Sequence, residues 1–152
     1  MPTFGYSIIG LDKDRSAIAS KRDSPISFKK TREVCNAVKG KQLQKAKEYL
    51  ERVLQFKEPI PFKRYKKKQA HRKGKGFGPG RYPLKSVKVV LELLNEVENN
   101  AEYKGLDVDR CRIIHCCVQK GRRYKKFIPR AFGRSSPYYK THSHVEIAIL
   151  EE

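Results

Sequence analysis

The chain has 152 residues, of which 35 are Lys or Arg and 16 are Asp or Glu, so its formal net charge is +19. This length suits one domain with a modest core, and the charge predicts a polyanionic partner or an anionic membrane surface. No apolar run approaches the length of a spanning helix, so we expect no membrane insertion. The N-terminus lacks the charged start and apolar core of a signal peptide, which favours an intracellular protein whose four cysteines are reduced thiols.

Three helices are predicted from apolar residues at helical spacing, two within residues 24–56 and the longest at 83–104. Ser27 suits the N-cap of the first helix, and Pro59 follows the end of the second helix. Pro83 suits the first turn of the third helix. The apolar stripe of this third helix is wide, which predicts a central position in the core.

Residues 57–82 are predicted to form a basic extended loop. The stretch from Phe62 to Arg81 contains no acid, and four of its last eight residues are glycine. It has too few apolar residues to fold on its own, so we expect it to order only on a partner. Its glycines fit neither common phosphate-loop spacing and follow no predicted strand, which argues against a nucleotide site.

Residues 107–152 are predicted to form one long β-hairpin, and a further short strand is predicted at 16–20. The apolar runs 111–118 and 142–150 have the length and the β-branched content of strands. The tip between them, about 120–140, is rich in Lys, Arg and aromatic residues and contains no acid. A connection of about twenty residues is too long for an ordinary hairpin turn. Either the strands continue past their apolar runs, or the tip becomes ordered only when it binds a partner.

A metal site would be formed if His115–Cys117 faced His142–His144 across paired strands. Structural zinc sites, however, usually take C-x2-4-C pairs from turns. Adjacent Cys116 and Cys117 point to opposite faces of a strand, and cysteine is a common small core residue. We therefore expect no metal and no other cofactor. The apolar pattern of the last strand turns Glu146 and both histidines away from the core.

The basic segments, rather than a catalytic centre, indicate the function. No set of nucleophile, base and orienting residue is recognisable, so no enzymatic activity is expected. Charge runs are often solvated faces or import signals, but here two segments combine Lys and Arg, which neutralise phosphates, with aromatic rings, which stack on bases. RNA is favoured over DNA because no helix-turn-helix, zinc finger or basic zipper is recognisable. The basic residues expected to contact RNA are Lys29, Lys30, Arg32, Lys63, Arg64, Lys66, Lys67, Lys68, Arg72, Lys73, Lys75, Arg81, Lys120, Arg122, Arg123, Lys125, Lys126, Arg130, Arg134 and Lys140.

Several short stretches, in a fixed order from about residue 24 to the C-terminus, carry a family resemblance. They are residues 28–33 (FKKTRE), 37–40 (AVKG), 45–50 (KAKEYL), 61–65 (PFKRY), 80–83 (GRYP), 99–109 (NNAEYKGLDVD), 130–134 (RAFGR), 137–138 (PY) and 144–146 (HVE). In these motifs the chain resembles the large-subunit ribosomal protein twenty-two family in its archaeal and eukaryotic branch, where the older eukaryotic name is large ribosomal protein seventeen. The stretches 99–109 and 130–134 are the most specific.

This resemblance implies one α+β domain over residues 1–152, with three helices packed on a small antiparallel sheet and a long protruding β-hairpin. It implies a structural protein of the large ribosomal subunit that binds ribosomal RNA and helps to line the nascent-peptide exit tunnel. Its implied partners are large-subunit ribosomal RNA, neighbouring ribosomal proteins and the nascent polypeptide. Its implied place is the cytoplasmic ribosome, with nuclear and nucleolar transit during assembly. The residues implied to face the tunnel are Tyr124, Phe127, Ile128, Pro129, Phe132 and Gly133.

The chain departs from the family pattern at a few positions, and one other function fits the composition. Tyr82 stands where the eukaryotic pattern usually has Trp, and Phe132 where it has His. Residues 127–129 interrupt a more uniformly basic tip, and the first twenty residues match poorly. A free-standing nucleic-acid-binding protein, such as a chromatin-packing protein or an RNA chaperone, is the alternative function.

Overall fold

The computed structural model describes residues 5–73 and 76–152, which form three α-helices, seven strands and one short 3-10 helix. The helices are α1 (Phe28–Val38), α2 (Leu43–Leu54) and α3 (Leu84–Tyr103). The strands are β1 (Ser16–Ser24), β2 (Ile60–Pro61), β3 (Gly80–Arg81), β4 (Cys111–Tyr124), β5 (Phe127–Pro129), β6 (Ser135–Pro137) and β7 (Lys140–Glu151). The 3-10 helix Val108–Arg110 leads from α3 into β4. The three predicted helices and the predicted α+β fold are confirmed.

The helices begin close to the predicted positions, but the details of their first turns differ. α1 begins directly after Ser27, whose side chain makes no capping hydrogen bond. Instead, the carbonyl oxygen of Ser27 accepts hydrogen bonds from the backbone N–H of Thr31 (2.9 Å) and from its hydroxyl (2.8 Å). Pro83 occupies the N-cap position of α3 rather than its first turn, a shift of the size that is normal at helix ends.

A three-stranded antiparallel sheet, in the order β1-β7-β4, forms the layer against which the helices pack. β7 is the central strand, and its Ile149 lies opposite Ala17 of β1 and Ile113 of β4. Alternate side chains of a strand point to opposite faces. Val145 and Ile147 are therefore buried on the same face as Ile149, as the sequence predicted. The predicted short strand at 16–20 also exists and extends to Ser24.

Helix α3 lies at the centre of the helical layer. It packs against α1, α2 and β1, and Val87, Val90, Leu94 and Val97 on its apolar stripe are fully buried. This confirms the central position predicted from the width of that stripe. Among the helices of the described part of the chain, none is long and apolar enough to cross a membrane.

The hairpin extends well beyond the core. β4 and β7 remain paired as far as Tyr124, which lies opposite Lys140. Beyond them, residues 127–129 of β5 pair with residues 135–137 of β6. The strands thus continue past their apolar runs, as one of the two sequence interpretations required. The pairing register shifts between Lys120 and Arg123, and such a bulge increases the local twist of the ladder.

Candidate nucleic-acid interface

One buried carboxylate anchors the basic loop to α1. Glu33 lies in α1 and is fully buried. Its two oxygens accept hydrogen bonds from the backbone N–H groups of Lys63, Arg64 and Tyr65, at 3.1, 2.9 and 2.8 Å. β2 and β3 pair at the base of the loop, so the loop has more internal order than its composition predicted. Glu33 is not among the predicted site residues, because it follows Arg32 in a helix turn rich in charged residues and no local pattern marks it as buried.

A cavity of about 360 Å³ opens between this loop and the first turn of α1. We call it the loop pocket. Exposed Lys29 and Lys30 line one side, Arg64 and Lys67 line the other, and the ring of Tyr65 forms part of the wall. Four cations around such a cavity can neutralise a phosphate group, and the ring offers a surface on which a base can stack.

The base of the hairpin is continuous with the loop pocket. The ring of Phe28, at the start of α1, packs edge-on against Tyr65 with 6.5 Å between ring centroids. The Nζ of Lys120 on β4 lies 5.6 Å from the centroid of Phe28, and the Nζ of Lys29 lies 5.7 Å from that of Tyr65. These cation–π contacts bring α1, the loop and the hairpin onto one basic surface.

Cations and aromatic rings also pair along the outer hairpin. The guanidinium carbon of Arg122 lies 5.6 Å from the ring centroid of Tyr124, and that of Arg123 lies 5.5 Å from that of Tyr139. Phe127 packs edge-on against Tyr139 at 6.3 Å. Every residue from 122 to 135 is exposed, so this part of the hairpin contacts no core of its own.

The turn at the end of the hairpin holds an aromatic side chain in an unfavourable backbone conformation. Phe132 has φ = +58° and the following Gly133 has φ = +67°. Positive φ is easy for glycine but uncommon for a bulky residue. The Phe132 side chain is 97% exposed, so none of the described residues packs closely around its ring.

The acids of the described residues pair with a different set of cations from those predicted to contact RNA. The salt bridges join Lys21 to Glu92, Arg22 to Glu146, Lys47 to Glu98, Arg52 to Glu48 and Glu58, and Arg112 to Glu152, and His142 lies beside Asp23. Within residues 5–73 and 76–152, no predicted RNA-contacting Lys or Arg belongs to a salt bridge. The positive charge of that set is therefore not neutralised by salt bridges among the described residues.

The structure separates the predicted RNA-contacting residues into an exposed majority and three half-buried arginines. Arg72 and Arg81 are half-buried and help to shape the loop, since their Nε atoms donate to the carbonyl of Gly80 (3.0 Å) and to Oε1 of Gln69 (2.7 Å). Arg32 is also half-buried. Lys75 lies outside the described residues, and the remaining members of the set are exposed.

A polar cluster lies on the face of the sheet opposite the helices. Cys117 of β4 pairs in register with Glu146 of β7, and His115 lies two residues before Cys117 on the same face. The Oγ of Ser7 lies 3.1 Å from His115 Nε2 and 3.3 Å from Cys117 Sγ, and it donates to Glu146 Oε2 at 2.7 Å. Cys116 points the other way into the core, so the predicted opposite orientation of Cys116 and Cys117 is confirmed.

The pKa values of these three groups are all shifted. Burial lowers the pKa of His115, assisted by the charge of Lys39, and burial raises the pKa of the Cys117 thiol. Burial also acts to raise the pKa of Glu146, but the hydrogen bonds from Ser7 and the charge of Arg22 outweigh it, so the pKa lies below its usual value. Glu146 is only 1% exposed, and it is therefore a buried, ionised carboxylate at neutral pH.

Residues 19–150 match the family described as Ribosomal protein L22p/L17e. The chain belongs to this family. It is 48% identical to "Large ribosomal subunit protein uL22" of Hyperthermus butylicus, over 100% of the chain and 99% of that protein. It is 46% identical to the protein of the same name from Thermofilum pendens, over 99% of each. For that of Archaeoglobus fulgidus, identity is 45% over 97% of the chain and 96% of the relative.

These relatives confirm the family resemblance and its archaeal branch. Because members of the family are structural components of the large ribosomal subunit, the chain has a structural, non-enzymatic role in translation. Its place is accordingly the ribosome.

Proposed function

We propose that the protein binds large-subunit ribosomal RNA through its continuous basic surface and that its hairpin helps to line the nascent-peptide exit tunnel. The observation that carries this proposal is the segregation of charge. The salt bridges of the described residues all lie outside the predicted RNA-contacting set, so that set retains its charge for phosphates. Membership in a large-subunit family makes ribosomal RNA the polyanion in question.

The loop pocket and the exposed face of α1 act as the anchor. Each Lys or Arg that neutralises a phosphate releases condensed counterions, which favours binding at low salt. Glu33 fixes the backbone of residues 63–65 against α1, so the cations of both elements are already grouped before RNA binds. Such preorganisation reduces the ordering cost of binding.

The hairpin acts as an extension that passes between RNA segments. Val118 is the last buried residue of β4, and the chain reaches the turn at Phe132 fourteen residues later. At roughly 3.3 Å per residue, this distance is up to about 45 Å. Apolar tip residues such as Phe127 and Ile128 are exposed, which is unfavourable in water. RNA along the sides and a nascent polypeptide at the turn would cover them.

The globular part is also proposed to contact neighbouring large-subunit ribosomal proteins. The ribosome of the cytoplasm is the proposed site of action. Passage through a nucleus and nucleolus during assembly applies only in a source cell that has a nucleus, and it stays a prediction.

Two variants that each remove six positive charges test the division between anchor and extension. One deletes residues 122–134 and so removes Arg122, Arg123, Lys125, Lys126, Arg130 and Arg134. The other replaces Lys29, Lys30, Lys63, Arg64, Lys66 and Lys67 by Ala, all of which are exposed. Incorporation into large subunits is measured by sucrose-gradient sedimentation, and RNA affinity is measured across a series of salt concentrations.

We expect the hairpin deletion to enter large subunits and the six-alanine variant to be largely excluded. For both variants, the plot of the logarithm of the binding constant against the logarithm of the salt concentration should be less steep. The slope should change by up to about five units if all six residues contact phosphates. Exclusion of the hairpin deletion together with incorporation of the six-alanine variant would make the tip the primary anchor and contradict the proposal. Migration of the wild-type protein away from large subunits would instead support a free-standing nucleic-acid-binding protein.

A further inference from the structure

The polar cluster on the outer face of the sheet has the composition and geometry of a metal site. It lies away from the loop pocket and does not enter the proposed RNA-binding function. Its potential ligand atoms are the imidazole nitrogen of His115, the thiol sulfur of Cys117 and a carboxylate oxygen of Glu146, and all three lie within 4.8 Å of one another. We propose that these three residues bind one zinc ion.

The strand register explains why the three side chains converge. Cys117 and Glu146 are cross-strand partners on β4 and β7, and directly opposed side chains on one face lie about 5 Å apart. His115 precedes Cys117 by two residues and so shares its face. Ligands on two paired strands of a sheet are held more rigidly than ligands on loops, which favours a defined coordination geometry.

The hydroxyl of Ser7 marks the position that an ion would occupy. Its Oγ lies 3.1 Å from the His115 nitrogen, 3.3 Å from the Cys117 sulfur and 2.7 Å from the Glu146 oxygen. A single ion at this position would therefore lie close to all three ligand atoms. Zinc bonds are about 2.0–2.3 Å long, and each ligand atom would need to move by about 1 Å toward the ion. A water, or the Ser7 hydroxyl once it has moved aside, would supply the fourth ligand of a tetrahedral site.

The donor set selects zinc over the common hard cations. Nitrogen and sulfur are poor ligands for Mg²⁺ and Ca²⁺, which prefer oxygen. Imidazole, thiolate and carboxylate are all usual zinc ligands. When zinc binds, the Cys117 thiol loses its proton to solvent as the zinc–sulfur bond forms, while an imidazole nitrogen of His115 and a carboxylate oxygen of Glu146 donate lone pairs.

Groups around the cluster orient its carboxylate. The backbone N–H of Ser7 donates to Glu146 Oε2 at 2.9 Å. Nη2 of Arg22 on β1 lies 3.1 Å from Oε1, the oxygen that does not face the cluster's centre. Outer contacts of this kind commonly fix the orientation of metal ligands. A bound ion would thus join the N-terminal segment, β4 and β7 at the base of the hairpin.

This proposal replaces the expectation that no metal binds. That expectation rested on Cys116 and Cys117, which do point to opposite faces and cannot share an ion. It did not consider that Glu146 lies opposite Cys117 in the register. A pairing of β4 shifted by one residue would have placed Cys117 in the core instead.

The test is a titration of the purified, reduced full-length protein with Co²⁺, followed by Zn²⁺. We expect one equivalent of Co²⁺ to produce a near-ultraviolet thiolate-to-cobalt band, which one equivalent of Zn²⁺ removes. Cys117→Ala should abolish the band, and His115→Ala should weaken binding at least tenfold. Cys111→Ala is the matched control, because it removes a buried thiol at the far end of the same strand, and it should bind cobalt as the wild type does.

A second measurement requires no variant and so does not depend on whether one folds. Alkylation of Cys117 in the wild-type protein, followed by peptide mass spectrometry, should be at least tenfold slower with zinc than with a chelator. Equal alkylation rates would overturn the proposal. So would a wild-type protein that shows no thiolate band, or a band that survives in Cys117→Ala. In those cases Ser7 joins a purely hydrogen-bonded cluster.

Discussion

At the scale of single residues, the buried Tyr49 makes the stability of the folded protein depend on pH. Its side chain is 5% exposed, and its hydroxyl donates to the carbonyl of Pro59 at 3.3 Å. Burial raises the pKa of Tyr49 to about 12. The unfolded chain, with a tyrosine pKa of about 10, therefore loses this proton more readily than the folded protein does.

The shift predicts a loss of stability at high pH. The neutral Tyr49 side chain contributes about 3 kcal/mol to the free energy of unfolding below about pH 10. This contribution is lost as the pH rises toward about 12. Tyr49→Phe removes this group, so its free energy of unfolding should fall less steeply than that of the wild type between pH 9 and 11. Urea unfolding at a series of pH values measures the difference. Parallel curves for the two proteins would show that Tyr49 does not titrate in this way.

At the scale of elements, the attachment of the basic loop depends on Glu33. Glu33→Ala leaves three backbone N–H groups without their acceptor, and we expect it to reduce the free energy of unfolding by about 2–4 kcal/mol. It should also accelerate limited proteolysis within residues 62–73. Glu51→Ala is the matched control, because Glu51 is exposed on α2 and surface substitutions usually change stability by less than about 0.5 kcal/mol. Identical protease digestion of the two variants would contradict the anchoring role.

The elements themselves were predictable from local sequence, whereas their long-range contacts were not. Apolar spacing predicted α1, α2 and α3, and β-branched runs predicted β4 and β7. The order within the loop was not predicted, because it depends on Glu33, about thirty residues away in the sequence. The polar cluster was not predicted either, because no local pattern places Ser7 beside Glu146. The exposed cations of the candidate interface followed from composition, but the structural roles of Arg72 and Arg81 did not.

At the scale of the whole molecule, charge divides the surface into two regions. The acids of α2 and α3 pair with Lys21, Lys47 and Arg52. The cations of α1, of the loop and of the hairpin tip (residues 120–140) have no such partners among the described residues. Ion pairs at the surface contribute little to stability, so this arrangement matters more for where an anionic partner binds than for folding.

The central claim is that the turn at the end of the hairpin faces the path of the nascent chain. The most direct measurement places a photoreactive phenylalanine analogue at Phe132 or at Tyr103 in ribosomes that carry a labelled nascent polypeptide. Both side chains are more than nine-tenths exposed, so neither substitution should disturb the fold. We predict nascent-chain cross-links from position 132 and none from position 103. Cross-links to the nascent chain from position 103 but not from position 132 would contradict the account.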